Sequence, residues 1–176
     1  MDTVELRFRR CFERSYDDLV RFVQRRSSPE QAEDVVADAF LVAWRRVGEL
    51  PDDDDEARAW LFGIARNTML NARRGAARRQ ALAVRVANPD DVADEAGAVV
   101  ERLHLVEAWN RLRPVDQEAL ALALWDDLTS DQAAAVLRIS AVAYRHRLSR
   151  ARRALRLHLA LGDPGASIPP QQGALR

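Results

Sequence analysis

Arginine is the residue type in this sequence with the clearest capacity for recognition chemistry. All 27 basic side chains are arginine, and no lysine occurs. A guanidinium is a planar, permanently charged fork that pairs with phosphate or with the edge of a guanine. The arginines are unevenly placed. Seven lie between Ala57 and Pro89 with no acidic residue among them, and seven more lie between Arg138 and Arg156, again with none. Residues 30–56 show the reverse pattern, with ten acidic groups against only Arg45 and Arg46. The formal net charge of zero conceals this segregation. Each arginine-rich segment could neutralise phosphates and release counterions, whereas the acidic block would repel DNA and suits a basic protein surface.

Other chemistry is poorly represented. His104, His146 and His158 fall far apart, and Cys11 is distant from all three, so no metal-ligand spacing arises. The run Asp52–Asp55 lacks the spacing and glycine of a calcium loop and reads as a solvated loop. There is no phosphate-cradling glycine loop and no nucleophile elbow. The expectation is a binding protein, not an enzyme, with no cofactor and no metal. A single cysteine excludes an intramolecular disulfide and suits a reducing compartment. The charged N-terminal stretch and the lack of any long apolar run point to a cytoplasmic chain without membrane insertion.

The elements that must position the arginines are helical. Only seven glycines and seven prolines interrupt 176 residues, 48% of them hydrophobic, and alanine, leucine and arginine favour helix. Leu6, Phe8, Phe12, Tyr16, Leu19, Val20 and Val23 recur at three- and four-residue spacing and predict a first helix over about 3–25. Ser28-Pro29-Glu30-Gln31 has the form of a capping box with proline at the first helical position. It predicts a second helix over 29–47, with Val36, Phe40, Ala43, Trp44 and Val47 on one stripe and Asp34, Asp38, Leu41 and Arg45 on the opposite face. After the acidic loop a third helix is expected over about 57–79. It should bury Leu61, Ile64, Ala65, Thr68 and Ala72 and turn Arg66, Asn67, Arg73 and Arg74 outward.

Residues 80–98 lose periodicity and read as a flexible linker. A second helical set follows over about 99–160, and 161–176 is breaker-rich and reads as a disordered tail. The fold class expected is all-α: two small helical bundles, 1–79 and 99–160, joined by that linker.

The second bundle carries a helix-turn-helix. Thr129 and Gln132 have capping-box spacing for a short helix over 130–137, Arg138-Ile139-Ser140 forms a tight turn, and Ser140 can cap the next helix. There Tyr144, Leu148, Ala151 and Leu155 form the buried stripe, while Arg145, His146, Ser149, Arg153 and Arg156 project outward. This is the layout of a helix that enters the major groove, where its first turns meet base edges and its flanks meet phosphates.

With these segments in place the chain resembles the ECF (extracytoplasmic function) family of RNA polymerase sigma factors. YDDLVRFV, AEDVVADAFLVAWRR and RAWLFGIARNTMLNARRGAARR resemble successive parts of region two. LRPVDQEALALALWDDLTSDQAAAVLRISAVAYRHRLSRARRAL resembles region four. The resemblance implies that Asp34, Asp38, Leu41 and Arg45 dock on the clamp helices of the polymerase largest subunit. It implies that Trp60, Arg66, Asn67, Asn71, Arg73 and Arg74 hold the separated −10 element. The −35 duplex would fall to Arg145, His146, Arg147, Ser149, Arg150 and Arg153. The partners implied are core polymerase, promoter DNA and an anti-sigma protein. Three departures stand out: Arg138 where the family often has glycine, Ala143 where it often has threonine, and the very acidic segment before the third helix.

The expected function is therefore transcription initiation, with recognition of both promoter elements and strand opening. Two other readings stay open on the sequence alone. One is a stand-alone helix-turn-helix regulator with a palindromic operator. The other is an adaptor that binds polymerase or an anti-sigma protein without promoter recognition.

Overall fold

The computed structural model describes residues 3–72, 84–85 and 96–162. Seven α-helices occur among them and no strand: α1 (Thr3–Gln24), α2 (Pro29–Arg45), α3 (Asp54–Ala72), α4 (Ala96–Asn110), α5 (Pro114–Leu124), α6 (Ser130–Leu137) and α7 (Ala141–Gly162). The first three pack on one another and the last four form a second group around α7. The all-α, two-bundle expectation holds. Most of the proposed linker, the 161–176 tail beyond Gly162, and the proposed end of the third helix beyond Ala72 lie outside the described residues.

The first bundle closes because apolar residues on three helices converge. Leu19, Phe22, Val23, Val36, Ala39, Leu61, Phe62 and Ala65 are buried, and the rings of Phe22 and Phe62 stack with centroids 4.4 Å apart. Polar clamps fix the packing. Asp18 of α1 accepts hydrogen bonds from Arg21 and from Arg58 of α3. Burial acts to raise the Asp18 pKa, but the bonds from these two arginines outweigh it and hold the carboxyl below its ordinary value.

Two local expectations are corrected. Ser28 does stand at the N-cap of α2 with Pro29 as the first helical residue, but its side chain makes no capping bond to the helix. The acidic run is not a loop throughout. After a single turn of 3₁₀ helix at Val47–Glu49, Asp53 caps α3 by accepting from the backbone N–H groups of Asp55 and Glu56. Asp54, Asp55 and Glu56 then occupy the first turn of α3, where negative charge is favoured by the helix dipole. Asp54 also pairs with Arg10 and Arg14, and Asp52 with Arg7. The supposed loop is thus a helix start pinned to α1.

The third helix buries Leu61, Ile64 and Ala65 as expected, but Thr68 is only half-buried and Ala72 is exposed. On α2 the expected stripe narrows to Val36, Phe40 and Ala43, with Trp44 exposed. The Trp44 ring packs edge-on against Phe8 at 5.0 Å.

The two bundles are packed against each other, with α3 lying on α6. A side-chain carbon added at Gly63 of α3 would sit 3.8 Å from the Val136 Cα of α6, an ordinary van der Waals contact, so the two helices face each other closely here. Charged pairs also cross the seam. Arg66 of α3 forms a buried fork with Glu118 of α5. Arg26 and Arg25, beyond the end of α1, both pair with buried Asp126. Burial pushes the Arg26 pKa down, and the adjacent Asp126 carboxylate offsets only part of that.

Val84 and Arg85 are fastened to both bundles. The Val84 N–H donates to Gln117 Oε1 and its carbonyl accepts from Trp109 Nε1 at 2.6 Å. The Arg85 N–H donates to the Arg25 carbonyl, and its guanidinium bonds to the carbonyls of Gln24 and Ser27.

Candidate nucleic-acid interface

An exposed arginine-bearing surface lies on α7. Its approach is set by α6, which opens with a complete capping box. Thr129 Oγ1 accepts from the Gln132 N–H, and the Gln132 side chain accepts from the Thr129 N–H. α6 closes on Arg138 in the left-handed conformation at φ 55° and ψ 47°. Ser140 then caps α7, its hydroxyl accepting from the Ala143 N–H at 3.1 Å.

The inner face of α7 is anchored by Tyr144, Leu148 and Ala151, all buried, with Leu155 half-buried. The Tyr144 hydroxyl donates to the Ala119 carbonyl of α5 at 3.0 Å. This anchor fixes the rotation of α7. Arg145, His146, Ser149, Arg150 and Arg153 are consequently exposed, and Arg147 is half-buried. Arg150 is drawn partly back, its Nε lying 3.7 Å from the buried Asp116 carboxylate, which Arg113 also holds. Periodicity alone did not single out Val142, which is 54% exposed in the first turn. An apolar side chain at that place suits a thymine methyl group.

The α3 residues are less uniformly placed than their spacing suggested. Trp60 is half-buried, and the Arg46 guanidinium lies 5.9 Å from its ring centroid. Asn67 is half-buried and Asn71 exposed. Arg66 departs from the expected outward face: it is only 5% exposed and is paired across the seam. The outward helix face expected there is covered by the second bundle, which no periodicity within α3 can reveal. Arg73 and Arg74 lie outside the described residues.

Of the seven arginines in the first acid-free segment, Arg58, Arg66 and Arg85 are described, and all three bond within the chain. Glu118, Asp126 and Gly63, which make this seam, carry no signal in the sequence that separates them from solvated or core positions.

The α2 face keeps its predicted character. Asp34, Asp38, Leu41 and Arg45 are all exposed, with Leu41 at 55%. They border a groove of about 860 Å³ whose far wall includes Thr68 and Asn71 of α3. The α2 face and the end of α3 therefore share one depression. No group of histidine, cysteine and carboxylate side chains among the described residues could hold a metal ion. No helix among them is long and apolar enough to cross a membrane.

Two bundles, one with an exposed arginine face on a helix-turn-helix, have the form of a DNA-binding factor, and the comparisons give its family. Residues 11–79 match Sigma-70 region 2, and residues 102–155 match Sigma-70, region 4. The ECF RNA polymerase sigma factor SigL of Mycobacterium tuberculosis is 33% identical over 132 residues, covering 73% of this chain and 75% of its own. The RNA polymerase sigma factor NccH of Alcaligenes xylosoxydans xylosoxydans is 30% identical over 128 residues, 68% of each chain.

Among solved structures, CnrH in complex with the cytosolic domain of CnrY matches with a TM-score of 0.59 and 25% identity over 88% of each chain. The sigma factor RpoE of Bartonella quintana, solved with the anti-sigma factor NepR, has the same fold. It matches with a TM-score of 0.64 and 24% identity, over 86% of this chain and 96% of its own. The chain belongs to the ECF RNA polymerase sigma factors, a family of non-enzymatic transcription factors, and its role is in transcription initiation.

Proposed function

We propose that the chain carries core RNA polymerase to its promoters by dividing the work among three faces. Asp34, Asp38, Leu41 and Arg45 dock on the clamp helices of the largest subunit. Leu41 is an exposed apolar residue set among charges, a composition that suits a protein partner. Trp60, Asn67 and Asn71, with Arg66, Arg73 and Arg74, hold the opened −10 strand, since aromatic and guanidinium planes stack on unpaired bases and amides read their edges. Arg145, His146, Arg147, Ser149, Arg150 and Arg153 engage the −35 duplex. The observation that carries this reading is the α7 face: its inner side is locked by the Tyr144–Ala119 bond, and its outer side presents arginines without an acid between them.

The chain works in the cytoplasm and is held in check there by a protein partner. Support for the partner comes from CnrH, solved with the cytosolic domain of CnrY. Run-off transcription with purified core polymerase on genomic fragments tests the proposal. Promoter-specific transcripts are expected. Tight binding to a palindromic site without polymerase would replace this reading with a stand-alone regulator, and polymerase binding without any transcript would reduce the chain to an adaptor.

A further inference from the structure

The seam between the bundles holds more than the apolar packing that runs through it. Three arginines and two carboxylates pair within it, with Arg26, Arg66, Glu118 and Asp126 nearly devoid of solvent contact. Buried ion pairs add little net stability over apolar packing of the same volume, because desolvation costs as much as the attraction returns. They are, however, exchangeable. A guanidinium that forks onto a carboxylate can fork equally onto a phosphate.

From this arrangement we infer that Glu118 and Asp126 are an intramolecular latch. They close the free chain on itself, and Glu118 occupies the Arg66 guanidinium in place of the DNA backbone. The inference rests on the reading of Arg66 as a −10 strand contact. Three features point the same way. The α3 helix face that bears Arg66 is covered by α6, at the Gly63–Val136 approach. Gln132, at the start of α6, donates to Glu56 at the start of α3, so the cover is fixed at a second point. The segment Val84–Arg85 is hydrogen-bonded to both bundles and ties them together.

The α7 face, by contrast, is left open. The closed chain can therefore meet duplex DNA through α7 but cannot present Arg66 to an opened strand. Opening requires a competitor for Arg66, and a DNA phosphate brought close by duplex docking supplies one.

The test uses the full chain in two forms. Glu118→Gln keeps the shape and removes the charge. Gly63→Cys with Val136→Cys, in a Cys11→Ala background, places a reversible disulfide across the seam. Small-angle scattering reads compactness, and fluorescence anisotropy reads binding of a short labelled single-stranded DNA of mixed sequence. The Glu118→Gln chain should be more extended and bind the strand about fivefold to tenfold more tightly, the scale of a modest coupling between sites. The oxidised disulfide form should bind it at least about tenfold more weakly than the same protein after reduction.

Equal strand binding by the oxidised and reduced forms would overturn the inference. So would a folded Glu118→Gln chain as compact as the parent. Adding Arg66→Gln to the Glu118→Gln chain separates the latch from the strand contact on which it rests. Loss of the gained affinity supports both, whereas unchanged affinity removes Arg66 from the strand-binding set and the inference with it.

Discussion

The guanidinium of Arg66 and the carboxylate of Glu118 meet as a fork across the two bundles, Nε to Oε1 at 2.6 Å and Nη2 to Oε2 at 3.1 Å. Both side chains are almost wholly removed from water. Fifty-two positions apart in sequence, they join the two halves of this sigma factor directly. Neither residue has any reason to be buried within its own helix.

Such a pair is costly to break by halves. Arg66→Met would take from Glu118 the guanidinium it forks with, and Glu118→Leu would take the carboxylate from Arg66. Each single change should destabilise by up to about 3–5 kcal/mol, the usual cost of breaking a buried ion pair by removing one partner. The loss is capped at the point where the bundles part and water reaches the charge. Arg66→Met combined with Glu118→Leu should recover most of it. Urea unfolding of the four proteins measures this coupling, and a double variant no more stable than the singles would show that the fork carries none.

At Arg138 side-chain identity works against backbone geometry. It ends α6 at φ 55°, a conformation that glycine adopts freely and that a residue with a Cβ adopts only under strain. Arg138→Gly should therefore raise stability by about 1 kcal/mol, visible as a higher melting temperature. An unchanged or lower value would mean that the exposed Arg138 side chain contributes more to the turn than its strain removes.

The fate of the arginines shows how far the sequence could be read. The helix-turn-helix was legible in detail because its signals are local: Thr129 and Gln132 cap within one turn, Ser140 caps α7, and the Tyr144, Leu148, Ala151 stripe repeats at helical spacing. The α2 face was legible for the same reason, since Asp34, Asp38 and Leu41 share a side of one helix. Helix boundaries at the acidic run were not, because Asp53 acts as a cap through hydrogen bonds that many loop aspartates never make. The seam was hidden altogether. A charge-rich helix face looks solvated until another domain lies on it, and the partners of Arg66 and Arg26 are roughly a hundred residues or half that away.

The α7 face should behave oppositely to the seam, since Arg145 and Arg153 stand exposed on it. Replacing Arg145 and Arg153 by glutamine should leave stability within about 0.5 kcal/mol of the parent. Duplex binding should weaken, and the slope of log K against log salt should fall by about 2 if both side chains meet phosphates. A titration of duplex affinity against salt concentration checks this. If affinity falls but the slope is unchanged, the two arginines read base edges and not the backbone.

Tyr144 links the recognition helix to the stability of the whole second bundle, and it does so in a pH-dependent way. Burial of its ring, opposed by the charge of Arg152 and supported by that of Asp126, pushes its pKa up to about 12 from 10.0. The neutral phenol is the form that donates to the Ala119 carbonyl. As pH rises past 10 the unfolded chain gives up this proton while the folded chain retains it. Stability therefore falls between pH 10 and about 12 and levels off above that. The loss should be on the order of 2–3 kcal/mol, since each tenfold difference in proton affinity between the folded and unfolded chain is worth about 1.4 kcal/mol. With no lysine in the chain, few other groups compete in this window. Tyr144→Phe should start about 1 kcal/mol less stable at neutral pH for want of the hydrogen bond and then show a flatter alkaline limb. Denaturation followed from neutral pH to beyond 12 compares the two curves. Parallel curves would mean that the alkaline loss comes from another group, and that the Tyr144 hydroxyl holds α7 in register without setting its pH limit.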